Sequence, residues 1–471
     1  MKNKKSNFSE WYTEVIQEAG LLEYSKVSGC MVYRPYSYAI WEKIVAEIDK
    51  RFKKIGIKNT YFPLLMPKHL LMKEKDHFEG FNPEVAWVTH TGDSELDEPL
   101  AVRPTSEVIM YDSYAKWIRS HRDLPLRLNQ WNTVIRWEFK HATPFIRGRE
   151  ILWNEGHTVF ATQKEALAEE KQIMDIYKEV CEEYLATPGI MGRKSDKEKF
   201  AGALFTVSFE QIMPDKKAVQ GPDFHHDGQA FAKMFKITFL DKNEKTQYAW
   251  QNTFALTMRQ IGVMIANHGD DKGLVLPPKI APVQIIIIPI YDAKSKKEVM
   301  TAAKNIQDKL GKEFLVELDD REGYTPGWKF HDAELKGIPL RLEIGPRDLK
   351  NKTVVLARRD TGKKSEVKIT QLGKEVSKIL DDIQDHLFKK ASKFLKDNIH
   401  EANNIDAFEK ILKSEKGIIR AGWCGSRKCE DEVKDRTGAK ITNMPYGLKA
   451  KGNCLLCGKK AKQMAHFARS Y

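Results

Sequence analysis

The sequence predicts an α+β protein in three parts: a large antiparallel-sheet domain, a small α/β domain and a cysteine-rich α/β module. Residues 1–278 contain long strand-like runs interspersed with helices, without the regular spacing of βαβ units, which favours an antiparallel sheet. Residues 283–382 alternate apolar strand segments with helical ones. Residues 400–471 contain four of the six cysteines. A chain of 471 residues is also too long for a single ordinary core.

An amphipathic helix is predicted from Pro35 onward, and Gly56 stands where its left-handed C-terminal cap is expected. The apolar residues that recur on one face of this helix are Ile40, Ile44, Ile48, Phe52 and Ile55. The apolar stretch Asn59–Pro67 follows it. Because Pro63 lacks a backbone N–H donor, this stretch fits a sheet edge or a bulge better than a central strand.

The rest of the first domain is predicted to contain two long helices, at Thr105–His121 and Lys164–Leu185. Strands are predicted at Leu126–Phe139 and Met234–Leu240. Long strands separated by irregular intervals are typical of an antiparallel sheet with helices packed against it.

The segment Leu276–Pro282 is predicted to be a linker, because its three prolines block regular structure. The aliphatic run Val283–Ile290 then predicts a strand that is buried on both faces. The remaining elements predicted for the second domain are strands at Phe314–Leu318, Pro339–Ile344 and Thr353–Arg358 and helices at Lys294–Leu310 and Trp328–Lys336. A long polar helix is predicted at Gln371–Leu395.

The composition is that of a globular protein, with 41% hydrophobic and 30% charged residues. Lys and Arg outnumber Asp and Glu by 78 to 65, an excess that attracts polyanions, although solvated lysines produce the same excess. The polar start of the chain predicts no secretory signal. The longest apolar run, Val283–Tyr291, is too short to span a membrane. We therefore expect a cytoplasmic protein.

Two pairs of cysteines predict a metal site in the last part of the chain. Four residues separate Cys424 from Cys429, and two separate Cys454 from Cys457. Two thiolate pairs joined by a loop are typical of a tetrahedral zinc site, and four cysteine ligands leave no open position, so the zinc would be structural. Four free thiols or two disulfides are the alternatives. Cys30 and Cys181 lie apart from this group and are expected to be ordinary thiols.

Three segments of the first domain are unusually rich in charged side chains: Arg103–Glu107, Arg136–His157 and Thr257–Asp270. An arginine in apolar surroundings requires an anionic partner. An internal carboxylate is the simpler partner for any single arginine taken alone. A bound triphosphate is the other, because it rewards the forked donors of guanidinium groups.

Taken together, these segments resemble the signature motifs of class II aminoacyl-tRNA synthetases. Gly56–Pro63 is similar to motif 1, whose proline ends a strand at the dimer interface. Arg136-Trp137-Glu138 through Glu150 is similar to motif 2, a strand–loop–strand that holds ATP. Thr257–Arg259 is similar to motif 3. The resemblance implies a class II catalytic domain, the use of ATP with Mg²⁺, and a homodimer.

Within this class the chain resembles the prolyl-tRNA synthetases of the archaeal and eukaryotic type. Arg103–Glu107 is similar to their proline-binding loop. Other similar segments of the first domain are Lys199–Ala203, Gly221 with His225-His226, and His268–Pro278. Pro326–Lys329 and Glu343–Asp348 resemble the anticodon-binding domain, and the four cysteines with Arg469–Tyr471 match the C-terminal zinc-binding domain of that type. The resemblance implies L-proline, ATP and tRNA(Pro) as substrates.

The resemblance also implies roles for individual residues. Arg136 and Arg259 are the catalytic candidates: Arg136 would contact the α-phosphate and the proline carboxylate, and Arg259 the γ-phosphate. The further ATP contacts it implies are Glu138, Arg147, Gln220 and Thr257. The residues it implies for proline are Thr105, Glu107, Arg136, His225, Trp153 and His157. His157 and Glu155 are either pocket residues or a buried hydrogen-bonded pair, and the sequence leaves both interpretations open.

Two residues depart from the family pattern. Members of this branch usually carry a small hydroxyl residue where Asp223 stands, and many carry one at the position of Gly148. An acidic side chain beside a triphosphate repels it unless it faces magnesium or solvent.

The interval Glu150–Thr257 leaves no room for the editing insertion of bacterial-type enzymes. Since a pocket for proline cannot strongly reject the smaller alanine, we expect alanine to be activated without correction.

In the second domain, Glu343 and Arg347 stand four residues apart at a strand end. They suit the guanines of a proline anticodon, or they form an ordinary surface ion pair. The basic run at Arg358-Arg359 and the lysines of the last module either hold the RNA backbone or are solvated.

A threonyl enzyme is disfavoured because the catalytic block lacks suitable zinc ligands. A non-catalytic paralogue is disfavoured because the motif arginines are present.

Overall fold

The computed structural model describes residues 2–75, 84–138 and 142–471. Phe139, the predicted end of a strand, and residues 140 and 141 of the segment similar to motif 2 lie outside the described residues. Among the described residues, no helix combines the length and the apolar character needed to cross a membrane.

The first domain contains seven helices and fourteen strands in its described part. The helices are α1 (Phe8–Glu18), α2 (Pro35–Lys54), α3 (Lys68–Lys75), α4 (Glu107–Trp117), α5 (Gln163–Glu179), α6 (Ala230–Phe235) and α7 (Arg259–His268). The strands are β1 (Leu22–Tyr24), β2 (Met31–Tyr33), β3 (Lys58–Asn59), β4 (Leu65–Pro67), β5 (Trp87–Thr91), β6 (Ser94–Val102), β7 (Leu126–Ile135), β8 (Glu150–Phe160), β9 (Ile190–Arg193), β10 (Phe205–Ile212), β11 (Ala218–Gly228), β12 (Thr238–Leu240), β13 (Thr246–Tyr248) and β14 (Trp250–Thr257). Short 3₁₀ and π turns occur at His121–Asp123 and Val180–Tyr184.

The central sheet of this domain runs in the order β3-β7-β8-β14-β11-β10-β9. All of these neighbours pair antiparallel except β3 and β7, which are parallel, so the predicted antiparallel α+β domain is confirmed. Side chains of β8 alternate between its two faces. Asn154 and Thr158 bond to Tyr177 and Glu169 of α5 on one face. Glu155 and His157, which alternate with them, therefore point to the opposite face.

The predicted helix α2 is confirmed, and Gly56 adopts the left-handed conformation expected of its cap, with φ of +83°. The strand predicted at Met234–Leu240 was wrong in its first part, because Met234 and Phe235 belong to α6 and only β12 is a strand. Phe231 and Phe235 stand four residues apart, so a helix brings both rings against Tyr111.

The second domain has a five-stranded sheet in the order β16-β15-β17-β18-β19, covered by helices. Its strands are β15 (Ile285–Pro289), β16 (Val316–Leu318), β17 (Leu340–Ile344), β18 (Thr353–Arg358) and β19 (Lys364–Lys368), and its helices are α8 (Lys296–Leu310), α9 (Pro326–Leu335), α10 (Pro346–Asn351) and α11 (Leu372–Asp397). A short 3₁₀ turn at Ile369–Gln371 precedes α11. The sequence did not predict β19 or α10. The predicted linker lacks regular structure, yet Leu276 and Ile280 are buried in the core of the first domain.

The C-terminal module continues the central sheet of the first domain. Its elements are β20 (Ile399–Ala402), α12 (Ile405–Ser414), β21 (Ile418–Trp423), α13 (Arg427–Thr437), β22 (Lys440–Pro445) and β23 (Gln463–Ala468). Because β22 pairs with β9, the two sheets join into one of eleven strands. At this joint a Cβ on Gly192 would lie 2.4 Å from the carbonyl oxygen of Met444, so only glycine allows the approach.

Candidate active site

A cavity of about 320 Å³ opens beside the central sheet. It is lined by every predicted proline or ATP contact except Glu138: Thr105, Glu107, Arg136, Arg147, Trp153, His157, Gln220, His225, Thr257 and Arg259. These residues come from the start of α4, from β7–β8 and their loop, and from β11, β14 and α7. The fold therefore brings together four segments that are far apart in the chain.

Glu138 does not line this cavity. Its side chain is exposed, and it immediately precedes residues 139–141, which lie outside the described ones. Its predicted contact with adenine stays a prediction.

The two catalytic candidates are held by backbone carbonyls. Arg259 donates from Nε to the carbonyl oxygen of Ile146 and from Nη1 to that of Gln220, both at 3.0 Å. Arg136 donates from Nε to the carbonyl oxygen of Pro104 at 3.1 Å, and its guanidinium lies 5.1 Å from the centre of the Trp153 ring. Within the described part of the chain, neither forms an ion pair with a carboxylate. An internal carboxylate partner, the simpler of the two interpretations, is therefore not what holds these arginines.

The guanidinium groups of Arg136, Arg147 and Arg259 concentrate positive charge in the cavity. Burial, together with the nearby charges of Arg147 and Arg136, lowers the pKa of Arg259 to about 10, whereas Asp223 opposes the shift. Like charges held close together in a partly buried site raise the free energy of the empty protein. A bound polyanion removes that cost, so the site favours a phosphate-rich ligand.

The cavity also carries the buried carboxylates of Glu107 and Glu155. Thr105 donates its hydroxyl to Glu107, whose side chain is buried. His225 lies beside them, with Nδ1 2.8 Å from the Thr206 hydroxyl and its ring stacked 4.7 Å from that of Phe200. Burial lowers the pKa of His225, against the opposing charges of Asp223 and Glu107, so the ring is neutral at pH 7. An anionic group in a small, largely apolar pocket suits a compact cationic amine.

Glu155 lines the cavity and is the centre of a hydrogen-bond network. It accepts from the backbone N–H of Ser106 at 3.0 Å and from the side-chain amides of Gln130 and Asn132 at 3.1 and 2.5 Å. His157 Nε2 lies 3.2 Å from its Oε2. Burial by itself raises the pKa of Glu155, but His157 and the donors outweigh it and lower that pKa. Glu155 and His157 are thus both a buried pair and part of the cavity wall.

The two departures from the family pattern both lie at the cavity. Asp223 accepts from the side-chain amide of Gln220 at 2.7 Å, and its other oxygen is 3.6 Å from His225 Nε2. It therefore faces the cavity with part of its charge compensated. At Gly148 a Cβ would lie 3.1 Å from the carbonyl oxygen of Gly29, so a larger residue is tightly restricted there.

Sequence reasoning missed the polar residues that support the site. Gln130 and Asn132 pair with Glu155 and Trp153 across β7 and β8. Residues two apart on a strand share a face, so this polar alternation on neighbouring strands was the available signal. Also missed was the buried ion pair of Lys194 with Glu210, at 2.6 Å; Lys194 lines the cavity.

The four predicted zinc ligands converge in the C-terminal module. Their sulfur atoms all lie within 4.8 Å of one another, and Cys424 Sγ is 3.7 Å from both Cys429 Sγ and Cys457 Sγ. A tetrahedron with zinc–sulfur bonds of about 2.3 Å has edges of about 3.8 Å, which fits these separations. Disulfide bonds require a sulfur–sulfur distance of about 2.05 Å. The cluster is therefore compatible with zinc and has none of the spacings of a disulfide.

The two anticodon candidates do not pair with each other. Glu343 is buried and receives hydrogen bonds from Arg341 at 3.0 Å and Lys364 at 2.9 Å. Arg347 is exposed on α10. In the same domain, the exposed rings of Tyr324 and Trp328 stack with centroids 4.1 Å apart.

Comparisons with known proteins match three regions of the chain. Residues 87–268 match the tRNA synthetase class II core domain (G, H, P, S and T), residues 284–379 an anticodon binding domain, and residues 405–471 the prolyl-tRNA synthetase C-terminal domain. The chain is 46% identical over 470 residues to a proline--tRNA ligase of Natranaerobius thermophilus, covering 99% of this chain and 97% of that one. It is also 46% identical over 471 residues to one of Cenarchaeum symbiosum, covering 100% and 98%. The chain therefore belongs to the proline--tRNA ligases, the class II family of aminoacyl-tRNA synthetases that attach proline to tRNA(Pro).

Proposed function

We propose that the cavity binds L-proline and ATP together, forms prolyl-adenylate, and then transfers the prolyl group to the terminal ribose of tRNA(Pro). One observation carries this proposal: three guanidinium groups converge on the same small cavity that contains the buried carboxylate of Glu107. A site with a polycationic side and a compact acidic side suits a triphosphate beside an amino acid.

The reaction requires alignment more than proton transfer. The carboxylate of proline is ionised at neutral pH, so it attacks the α-phosphorus without a general base, and pyrophosphate leaves with the electrons of the broken P–O bond. In our proposal, Arg136 contacts the α-phosphate and the proline carboxylate, while Arg259 and Arg147 hold the outer phosphates. Their fixed charges neutralise negative charge as it develops, without reorganisation. Gln220, Thr257 and Glu138 complete the ATP site.

The proline pocket is proposed to recognise the secondary ammonium. Glu107 accepts a hydrogen bond from one N–H group of this ammonium and Thr105 from the other, and neutral His225 lines the same pocket. Trp153 and His157 complete the pocket. The rigid Glu155 network supports this arrangement, since it anchors the backbone that carries Thr105 and Glu107.

Two metals are part of the proposal. Class II synthetases generally use ATP with Mg²⁺, and the carboxylates of Glu150, Glu198 and Asp223 at the cavity are the oxygen ligands that this ion prefers. The cysteine cluster is proposed to hold a structural zinc ion. Burial by itself raises the pKa of Cys454, but backbone N–H groups of Cys457 and Leu456 outweigh it and lower that pKa to about 7, which favours the thiolate.

The second domain is proposed to read the anticodon. The exposed guanidinium of Arg347 is available to guanine acceptors, and the carboxylate of Glu343 is held in place by its two cationic partners. Tyr324 and Trp328 provide an exposed aromatic surface of the kind on which single-stranded bases stack.

We also propose a cytoplasmic homodimer with the domain boundaries expected from the sequence: 1–278, 283–382 and 400–471. Apolar side chains are exposed around the segment similar to motif 1, including Tyr61, Leu64 and Leu65. Exposed apolar groups at the edge of a sheet are typical of an interface.

The proposal includes activation of alanine without correction in the same chain. The interval between Glu150 and Thr257 is used by strands of the central sheet and by elements adjoining it. Proline-dependent ATP–pyrophosphate exchange tests the function, run beside alanine, cysteine and threonine. We expect strong exchange with proline and weaker exchange with alanine. Exchange with threonine and none with proline would refute the proposed specificity, and rapid deacylation of alanyl-tRNA(Pro) would refute the lack of correction.

A further inference from the structure

A second cavity, of about 470 Å³, lies between the C-terminal module and the first domain. Its wall contains five cationic side chains: Arg147, Lys217, Lys434, Lys440 and Arg469. The rest of its described lining is Thr437, Gly438, Ser470 and Tyr471, so no carboxylate side chain lines it in the described part of the chain. We call this second cavity the basic cleft.

The basic cleft adjoins the active site. Arg147 lines both cavities, so the two cavities meet at this residue. The adjacency follows from the pairing of β22 with β9, which places the C-terminal module beside the catalytic sheet.

The positive charge of the basic cleft is only partly compensated. Lys217 and Lys440 form ion pairs, with Asp215 at 3.1 Å and with Glu198 at 2.6 Å. Arg469 donates to the carbonyl oxygen of Thr437 at 3.0 and 3.2 Å and not to a carboxylate. The exposed side chain of Lys434 has no ion-pair partner within the described ranges. A cleft in which cationic side chains predominate concentrates anionic ligands.

We propose that the basic cleft binds phosphodiester groups of the single-stranded acceptor end of tRNA and leads its terminal ribose to the adenylate. This inference rests on the proposed function, because the transfer step requires the last nucleotide to enter the active-site cavity. The nucleotides before it must leave that cavity, and each carries a negative phosphate. The basic cleft shares Arg147 with that cavity, and it is the volume that we assign to these nucleotides.

The test compares Lys434→Gln, Lys217→Gln and the double variant of the full chain in two assays. Both residues are exposed and neither lines the active-site cavity, so ATP–pyrophosphate exchange, which needs no tRNA, should be unchanged. In aminoacylation, the double variant should raise the KM for tRNA(Pro) on the order of tenfold, because lost phosphate contacts weaken binding. The slope of log(kcat/KM) against log salt concentration should become shallower by about 0.7 for each lost contact.

Two control variants separate the cleft from general charge effects. Lys459→Gln removes an exposed lysine of the same module outside the cleft, and should leave the KM for tRNA(Pro) unchanged. Lys434→Arg keeps the charge and should retain a KM close to that of the parent protein. Melting temperatures confirm that each variant is folded.

An unchanged KM for tRNA(Pro) and an unchanged salt slope in the folded double variant would overturn the inference. A second result would also overturn it: in the double variant, added pyrophosphate inhibits exchange differently while the KM for tRNA(Pro) is unchanged. The cleft would then bind free pyrophosphate and not tRNA. Failure of the parent protein to show proline-dependent exchange would contradict the proposed function instead, which distinguishes the two failures.

Discussion

Replacing Arg259 tests the proposed ATP site most directly. A guanidinium has five N–H donors, and Arg259 uses two of them on the carbonyl oxygens of Ile146 and Gln220, leaving three for phosphate oxygens. Lysine keeps the charge but has three donors in a compact ammonium, so it loses at least one of these bonds. A hydrogen bond from a charged group contributes about 2 kcal/mol. Arg259→Lys should therefore lower kcat/KM for ATP in pyrophosphate exchange about 30-fold.

Arg259→Ala also removes the charge, for which about 4 kcal/mol of transition-state stabilisation is a reasonable expectation, or about a thousandfold in rate. Arg103 provides a matched control. Its guanidinium also donates to backbone carbonyls, those of Thr133 and Phe62, but it does not line the cavity. Arg103→Lys should lower the melting temperature and leave the KM for ATP unchanged. If Arg259→Ala stays within threefold of the parent protein, the proposed role of the arginine is wrong.

Two further predictions concern stability and the metal. Glu155→Gln breaks a buried network and should lower the free energy of unfolding by about 3 kcal/mol at pH 7, measured by urea denaturation. Because folding lowers the pKa of Glu155, its ionised carboxylate stabilises the protein above the unfolded pKa of about 4.3, and this stabilisation is lost as the pH falls through the folded pKa. The difference in unfolding free energy between the parent protein and Glu155→Gln should therefore shrink below about pH 4. A difference that stays constant with pH would refute this assignment. Cys454→Ser should reduce bound zinc well below one ion per chain. A chelator should lower the melting temperature of the parent protein but not that of the variant. Full zinc content in the variant would exclude Cys454 as a ligand.

The local elements were largely predictable because they depend on neighbours in the chain. The apolar period of α2 and the glycine at its end are both local signals, and both were confirmed. The error at Met234 arose where an apolar run permits either period, and packing of Phe231 and Phe235 against Tyr111 decided for helix.

The site itself was predictable by residue type and only partly by geometry. The arginines and Glu107 were found through their resemblance to known motifs, and the structure places them around one cavity. Their supporting partners were not found, since a hydrogen bond such as that from Asn132 to Glu155 joins positions on different strands. In the second domain, spacing suggested a pair of Glu343 with Arg347, whereas the sheet brings Lys364 of the unpredicted strand β19 to Glu343.

By itself, the sequence determined which chemical groups this protein has, the periods of its main helices and strands, the paired cysteines and the family to which it belongs. These properties are encoded within short stretches of chain, where spacing alone sets which side chains share a face. Only the tertiary structure decided that the cysteine module extends the central sheet of the first domain, that carbonyls hold the two arginines proposed to be catalytic, and that Arg147 lines two cavities. Those features depend on contacts between residues up to hundreds of positions apart, and burial and charge decide them only once the chain has folded.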